Sequence, residues 1–546
     1  MVAIKLKEIH VAILVIFLFT VLIRAPRIGA VAYTHDGAHY VLRAFKTLDD
    51  PWFTFNAGHG DAYWIEQGFV HFYFLAAGLQ FFGTVNHQFS TELVEVLIFG
   101  VTTVLVYLTI RELTDNKKAW YAATFLFSVC LMVYAYSITT YTDTTVTFML
   151  VASLYFFIKG IKTYSGKFNW WLMISSIFFA LTILTKYTIL VAYVVTLMWL
   201  MTFKMKHILK IKNLVYLLPF IIPLIFFGYF TTVWPDMRFI FGQFEGRTMP
   251  YTTTLLGIGT VKLPVVGVDH MGNTCLLGSA EGTVPHILIT PIMLGIWMPI
   301  AALFGILFLL LFLFKTFIKR LDKKLIYLLA AGGLVIFFWF IWYSRTGLVL
   351  AGGILLLTFY NFFRGKTVNK TNQLILYLSL IVLSYYIFIQ RTGFNTNWLL
   401  PISPIICIFA GLMIGKIKRI PYQFLIIISL GYTIFMLQNL DYNVPREMGE
   451  WLAQNSPGDK LILADDQQRI GLYSGRAAAL VFGMPDEAIK QYVETGQVKY
   501  LTFLPGYGYS DWLEDEHPEL MKSINARVVK EVYYKDKVCG VIYEVG

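Results

Sequence analysis

The stretch SITTYTDTTVTFMLVASLYFFIKG, residues 137–160, largely decides how the chain is interpreted. Asp143 is followed by a long apolar run in which the next charged residue is Lys159. An α-helix of about 20 apolar residues is long enough to cross the hydrocarbon core of a bilayer. The stretch therefore predicts a membrane-spanning helix at roughly 143–160, with the Asp143 carboxylate at its N-terminal end.

Similar apolar runs recur through most of the 546 residues, of which 57% are hydrophobic and 14% charged. Soluble domains carry about 25% charged residues, so this composition excludes a disordered chain and a small disulfide scaffold. We predict a mainly α fold, a polytopic transmembrane helical bundle of about thirteen spans. The predicted spans are 9–23, 91–110, 119–137, 143–160, 168–184, 187–203, 213–231, 288–314, 325–343, 346–361, 372–390, 397–414 and 421–438.

The distribution of charge predicts the orientation of these spans. Residues 1–440 hold 33 basic and 16 acidic residues, whereas residues 441–546 hold 11 basic and 17 acidic ones. The basic residues lie mainly in every second short connector, which is the positive-inside pattern. We therefore predict a multi-pass protein of the cell membrane with a cytoplasmic N-terminus, an uncleaved first span and an extracytoplasmic C-terminus. The net charge of +11 is assigned to orientation and not to nucleic-acid binding.

Two domains are predicted, a transmembrane domain over 1–440 and a small soluble extracytoplasmic α/β domain over 441–546. The first includes large external loops at 24–90 and 232–287, and the apolar stretch 68–83 is compatible with a helix lying along the interface. In the second, apolar runs at 460–466, 477–482, 498–504 and 538–545 predict strands. Helices are predicted to open on Pro445 and Pro485.

Ionisable residues near the external interface are the candidates for chemistry, because a charge near hydrocarbon is costly and often marks a site. Asp36, in YTHDGAHYVLRA, is flanked by His35, His39 and Tyr40, and it shares a helix face with Tyr40 and Arg43. It is either a carboxylate that complements a helix N-terminus or a general base that faces a cavity. Asp143 is a helix N-cap, a residue that points into a site, or both together.

Three cations are considered as ligands for a lipid phosphate. Lys186, in ALTILTKYTILVAYVVTLMW, lies between two apolar runs, where its ammonium either snorkels to the interface or binds phosphate. Arg391 and Arg345 compete for a second phosphate contact, and either one alternatively anchors a helix end. Weaker candidates in the external loops are Glu66, Glu245, Arg247, His270 and Glu281.

These segments, in this order, resemble the GT-C superfamily of multi-span glycosyltransferases, and most closely the branch of dolichyl-phosphate-mannose protein mannosyltransferases and aminoarabinose transferases. The resemblance rests on four features of the sequence, namely Asp36 with Tyr40, TDTTVTFMLVASLYFF with Asp143, LTILTKYT with Lys186, and NWLLPISPIICIFAG. Two positions depart from the family. Its Asp-Glu pair reads Asp36-Gly37 here, and a late Arg-Tyr dipeptide is replaced by Asn397-Trp398.

The resemblance implies a polyprenyl-phosphate sugar donor in the membrane, an acceptor hydroxyl of unknown identity, and transfer with inversion. It implies Asp36 as general base, Asp143 as a residue that orients the loop or acceptor, and Lys186 with Arg391 at the donor phosphate. His35, His39, Tyr40 and Glu66 would line the site. No cofactor is firmly expected, and a divalent metal is disfavoured because no second carboxylate stands beside Asp36.

Two other classes of protein are weighed against this enzyme. A transporter or lipid flippase typically shows paired repeats and interrupted helices, and the sequence shows no repeated half. A non-catalytic surface protein would use the C-terminal 106 residues for binding. That interpretation leaves the polar residues gathered at one interface unexplained.

Overall fold

The computed structural model describes most of the chain. The described ranges are 2–51, 69–186, 189–208, 211–225, 258–264, 279–285, 293–317, 370–392, 396–437, 443–481, 484–504, 517–534 and 537–546. Up to residue 437 the described part is mainly helical, and the predicted helical class is confirmed. Its helices are α1 (Val2–Leu22), α2 (His35–Asp49), α3 (Phe69–Phe82), α4 (His87–Leu113), α5 (Lys117–Val129), α6 (Leu131–Ser137), α7 (Thr142–Thr163), α8 (Trp170–Thr185), α9 (Leu190–Ile208), α10 (Pro299–Phe317), α11 (Lys370–Thr392), α12 (Ser403–Lys416) and α13 (Tyr422–Leu437).

Several of these helices have the length and apolarity of membrane spans. In the described part of the chain, four stretches qualify, namely Glu8–Arg27, His87–Leu113, Thr142–Thr163 and Leu399–Lys416. Helices α5 and α6 together make a fifth, bent by 52° where Cys130 adopts an extended backbone. The apolar helices place the protein in a membrane. The predicted spans 325–343 and 346–361 lie outside the described residues, so the total of about thirteen stays a prediction.

Prolines modify two of the predicted spans. Residues Ile211–Phe220 and Thr396–Ile402 form 3₁₀ helices that contain Pro219 and Pro401, where continuous α-helix was predicted. Proline has no backbone N–H to donate and crowds the preceding turn, so an α-helix is disfavoured there. The stretch 232–287, predicted as an external loop, also contains an antiparallel hairpin, β1 (Ile258–Pro264) and β2 (Ser279–Pro285), which the sequence did not predict.

Small residues allow the central helices to approach closely. A side chain at Gly411 of α12 would begin 2.6 Å from the carbonyl oxygen of Ala119 in α5. Such contacts are typical of helix packing in membranes, where small residues allow two backbones to meet. Cys130 and Cys407 are both buried in this core, as expected of cysteines that act as small apolar residues.

The described residues between 443 and 546, called the C-terminal unit below, form a five-stranded mixed sheet with helices on both faces. The strand order is β4-β3-β5-β7-β6, in which β3 runs parallel to β4 and β5, while β7 is antiparallel to β5 and β6. The strands are β3 (Leu461–Ala464), β4 (Ala478–Leu480), β5 (Val498–Phe503), β6 (Arg527–Tyr534) and β7 (Lys537–Glu544). The helices are α14 (Val444–Asn455), α15 (Gln467–Ser474), α16 (Asp486–Glu494) and α17 (Pro518–Ser523).

Alternating side chains of strand β3 enter two separate cores, one on each face of the sheet. Ile462 packs with Met448 of α14 on one face, and Leu463 packs with Ile489 of α16 on the other. This alternation follows from the two-residue period of a strand. The sheet is thus covered by helices on both sides, and α15 is left to contact the transmembrane part.

Candidate active site

The structure brings together Asp143 and Lys186, two of the candidates from distant stretches. Lys186 Nζ lies 2.8 Å from Asp143 Oδ1 and 2.9 Å from Oδ2. The exposed fraction is 5% for the lysine side chain and 0% for the aspartate side chain. Lys186 follows the last residue of α8, and Asp143 lies in the first turn of α7, which packs beside α8. The Lys186 ammonium therefore lies at the negative C-terminal end of the α8 dipole, and the Asp143 carboxylate lies at the positive N-terminal end of the α7 dipole. Both placements are electrostatically favourable.

Two of the alternatives weighed for these residues are wrong. Tyr141 occupies the N-cap of α7 without a side-chain cap, and the Asp143 carboxylate binds Lys186 where an N-cap would bind backbone amides. The Lys186 side chain does not snorkel to an aqueous interface, because it is almost fully buried. A buried charge needs a close partner of opposite sign, which each of the two residues provides for the other.

Asp36 lies at the start of α2, as predicted for a carboxylate near a helix N-terminus. The Thr34 hydroxyl caps this helix by accepting from the Gly37 N–H at 3.0 Å. A side chain at Gly37 would begin only 2.6 Å from Thr140 Oγ1 and 2.9 Å from Thr34 Oγ1. The first turn of α2 therefore packs directly on the segment that leads into Asp143. A side chain at residue 37, where the family has the second residue of its Asp-Glu pair, would require Thr140, Thr34 or the helix itself to shift.

A buried polar cluster that the sequence did not predict lies beside this contact. His71 Nδ1 in α3 lies 2.9 Å from Thr145 Oγ1 and 3.4 Å from Glu95 Oε1 in α4, and all three residues are fully buried. The ring of Tyr40 stands edge-on to the His71 ring, with centroids 5.4 Å apart. Thr145 is two residues from Asp143, so the cluster and the ion pair share the first turns of α7.

The remaining candidates are placed as follows. The Arg43 Nε donates to His39 Nε2 at 2.9 Å on α2, while Tyr40 is buried. Arg391 is in the last turn of α11, and His35 begins α2, but the side chains of both lie outside the described part. Glu66, Arg345, Glu245, Arg247 and His270 lie outside the described residues, as does the side chain of Glu281. Among the described residues, no group of three or more His, Cys, Asp or Glu side chains is placed to hold a metal ion.

Comparison with solved structures identifies the fold. ArnT from Cupriavidus metallidurans in its apo state superposes with a TM-score of 0.57 at 10% identity, covering 100% of this chain and 98% of ArnT. The same protein bound to undecaprenyl phosphate gives 0.56 at 11% identity over 99% and 98%. The chain therefore shares the fold of ArnT. The resemblance inferred from the sequence is confirmed.

Two further comparisons bear on this fold. The archaeal oligosaccharyltransferase AglB from Archaeoglobus fulgidus, in complex with an inhibitory peptide and a dolichol-phosphate, has a TM-score of 0.50 at 13% identity, over 96% of this chain and 73% of AglB. Residues 66–230 match the family described as dolichyl-phosphate-mannose-protein mannosyltransferase, and this range contains both Asp143 and Lys186. No curated protein sequence matches the chain.

Proposed function

We propose that this GT-C protein is a glycosyltransferase that moves a single sugar from a polyprenyl-phosphate donor to an acceptor hydroxyl on the extracytoplasmic side. The observation that carries the proposal is the buried Asp143–Lys186 pair at the place where the first turn of α2, with Asp36, packs on residue 140. The match to ArnT bound to undecaprenyl phosphate supports a lipid phosphate as the leaving group.

The reaction is a displacement at the anomeric carbon. The acceptor oxygen forms a bond to that carbon while the bond to the phosphate oxygen breaks, so the configuration inverts and polyprenyl phosphate leaves. Asp36 accepts the proton of the acceptor hydroxyl as general base. The ammonium of Lys186 stabilises the negative charge that grows on the departing phosphate. Arg391 is a second candidate for the phosphate, and His35, His39, Tyr40 and Glu66 are candidates for the lining.

We propose a role for Asp143 that differs from the one that the sequence suggested. Both of its carboxylate oxygens bind Lys186 Nζ, so we assign it to holding the ammonium in place, with no direct task on the acceptor. A lysine side chain has four rotatable bonds, and fixing it in advance reduces the entropy that donor binding must overcome. Charge held in place before the reaction is also what makes electrostatic stabilisation effective.

The test uses purified full-length protein and synthetic polyprenyl-phosphate sugars. Asp36→Asn should abolish transfer while the donor still binds, whereas Lys186→Ala should weaken donor binding. The matched control is Lys162→Ala, because Lys162 pairs with Glu112 at the opposite end of α7, where its side chain is 36% exposed. Asp459→Asn, at an exposed position, controls for loss of a carboxylate. Wild-type behaviour of both Asp36→Asn and Lys186→Ala would refute the site assignment.

The second candidate function, a transporter or lipid flippase, makes a different prediction in the same assay. It would move the intact lipid-linked sugar across a vesicle membrane without cleaving the bond to phosphate. Appearance of free polyprenyl phosphate only in the presence of an acceptor would exclude it. The same donor, carrying a labelled sugar, can then be used to test proteins, envelope lipids and glycans as acceptors.

A further inference from the structure

The segment 29–33, which joins the first membrane helix to α2, has an unusual hydrogen-bond pattern. It forms no helix or strand of its own, so its backbone groups need other partners. Five of these groups are bonded by side chains from α4 and from the C-terminal unit. Gly29 N–H donates to Glu92 Oε2 (2.5 Å), Asn443 Nδ2 donates to Ala30 O (3.1 Å), Gln88 Nε2 donates to Val31 O, Ala32 N–H donates to Asn443 Oδ1 (2.9 Å), and Tyr33 N–H donates to Tyr473 Oη (2.7 Å).

Asn443 and Tyr473 belong to the C-terminal unit, more than 400 residues along the chain. The side-chain amide of Asn443 supplies one donor and one acceptor to the segment, as a neighbouring strand would. The Tyr473 hydroxyl accepts from Tyr33 N–H and donates to Gln88 Oε1 at 2.9 Å, and its ring stacks on the Tyr33 ring at 5.8 Å. Burial raises the pKa of Tyr473, so this hydroxyl keeps its proton at any ordinary pH.

A second set of contacts holds Tyr473 and α4 together. Arg446 Nη2 donates to Gln88 Oε1 at 2.5 Å, and its guanidinium lies 5.6 Å from the centre of the Tyr473 ring. Gln88 Nε2 also donates to Glu92 Oε1 at 2.6 Å. Gln88 and Glu92 are both buried, so these groups exchange few hydrogen bonds with water. The segment 29–33 is therefore held by one continuous network from two separate parts of the fold.

The far end of this segment leads directly to the proposed general base. Thr34, which caps α2, follows Tyr33, and Asp36 lies in the first turn of the same helix. At its other end the segment is anchored by Arg24, a buried side chain that donates to Thr20 O at 2.9 Å and to Ser128 O at 2.8 Å. With the start fixed by Arg24, the contacts from α4 and from the C-terminal unit together determine where α2 begins.

We propose that the C-terminal unit is a working part of the transfer site, in which Tyr473, Arg446 and Asn443 are positioning residues for Asp36. This inference rests on the proposed function and extends it to a unit that the sequence leaves without a role. Reacting groups must be held close to the productive geometry, and a displacement of about 1 Å can cost about 100-fold in rate. The contacts are to the backbone of the segment, so their loss changes the path of the chain as well as the stability of docking.

The test compares two tyrosine variants within the same unit. Tyr473→Phe keeps the ring against Tyr33 and removes only the hydroxyl. Tyr500→Phe is the matched control, because the Tyr500 hydroxyl donates to Asn455 O at 3.2 Å inside the C-terminal unit. We expect Tyr473→Phe to lower kcat about 10- to 100-fold, with donor affinity unchanged, and Tyr500→Phe to leave both near wild type. Arg446→Met, which removes the other donor to Gln88, should act in the same direction.

Hydrogen exchange of the backbone amides gives a readout that does not depend on activity. In Tyr473→Phe the amides of residues 29–38 should exchange faster, with the increase extending into the first turn of α2. Unchanged kcat, or an increase in exchange confined to residues 29–33, would overturn the positioning role while leaving the proposed function intact. If wild-type protein transfers no sugar, the proposed function fails, and the extent of the exchange still decides whether this unit positions Asp36.

Discussion

Lys186 and Asp143 form a buried ion pair although 43 residues separate them in the chain. Each residue was recognisable in the sequence as a charge at the end of an apolar run, and the fold places the two runs side by side as α7 and α8. A buried pair contributes little net stability compared with well-packed apolar residues, but breaking it is expensive. Its presence beside α2 is therefore in keeping with the role proposed for it at the donor phosphate.

Removal of one partner from this pair should destabilise the protein strongly. Asp143→Ala leaves the Lys186 ammonium buried without its counter-charge, and we expect a loss of about 3–5 kcal/mol in the free energy of unfolding. Thermal or denaturant unfolding in detergent measures the loss. Glu112→Ala, which breaks the exposed pair with Lys162, is the control and should cost about 1 kcal/mol or less.

The apolar double variant Asp143→Leu with Lys186→Met completes this comparison. It removes both charges, so most of the stability lost in Asp143→Ala should return. Donor binding should not return, because no ammonium faces the phosphate. Equal stability of Asp143→Ala and wild type would show that the two side chains do not depend on one another.

The contact between Gly37 and Thr140 makes a second prediction. In Gly37→Ala the new methyl group would lie 2.6 Å from Thr140 Oγ1, so either the Thr140 side chain or the first turn of α2 must shift. We expect a loss of about 1–3 kcal/mol in stability and reduced transfer, measured by unfolding and by activity. Gly431→Ala is the control, because its methyl group would enter open space within α13.

Combining Gly37→Ala with Thr140→Ala tests the cause. Thr140→Ala removes the hydroxyl that the new methyl group meets most closely, so the double variant should recover part of the loss. A Gly37→Ala protein with wild-type stability and activity would contradict the packing of α2 on the segment before Asp143.

The sequence predicted the candidate residues better than it predicted their contacts. Asp36, Asp143 and Lys186 stood out because charged residues are rare near apolar runs, and a helix start at Asp36 followed from local pattern. The pairing of Asp143 with Lys186 is a long-range contact, which no single segment encodes. The partners of the backbone at 29–33 likewise come from α4 and the C-terminal unit, so they have no local signature.

Three features were missed for physical reasons that can be named. Glu95 lies within the predicted span 91–110, three residues after Glu92. Two carboxylates so close together in a span indicate a buried polar site, but the high average hydrophobicity of the span hid them. Strand β6 is an edge strand that carries Lys530 and Glu531, and edge strands commonly bear charges, which weakens their apolar pattern. His71 is a single histidine in an apolar helix, and only its contacts with Thr145 and Glu95 distinguish it.

The stability of the C-terminal unit should depend on pH through Asp465. Burial raises the pKa of this carboxyl to about 7 in the folded protein, although the Leu504 N–H donates to it at 2.6 Å. In the unfolded chain the pKa is close to 4. Between these values the folded state binds more protons than the unfolded state, so stability decreases as the pH rises from about 4 to about 7.

The magnitude of this effect can be measured against an uncharged variant. Between pH 5 and pH 8 the Asp465 contribution should fall by about 2–3 kcal/mol, whereas Asp465→Asn should lack this component. Denaturant unfolding monitored within the C-terminal unit at both pH values gives the difference. A wild-type protein that gains stability relative to Asp465→Asn over this interval would contradict a neutral buried carboxyl.

The predicted orientation in the membrane makes Lys117 and Asp459 lie on opposite sides. Both side chains are exposed, by 69% and 77%, so an introduced cysteine would be equally accessible to a small reagent in opened membranes. The variants Lys117→Cys and Asp459→Cys are made in a background from which Cys130, Cys275, Cys407 and Cys539 have been removed. With a membrane-impermeant maleimide on intact cells, only Asp459→Cys should react, because the positive-inside pattern places the connector at Lys117 in the cytoplasm. Labelling of Lys117→Cys in intact cells would show that the orientation is opposite to the predicted one. Asp36 would then lie on the side of the membrane away from an external acceptor.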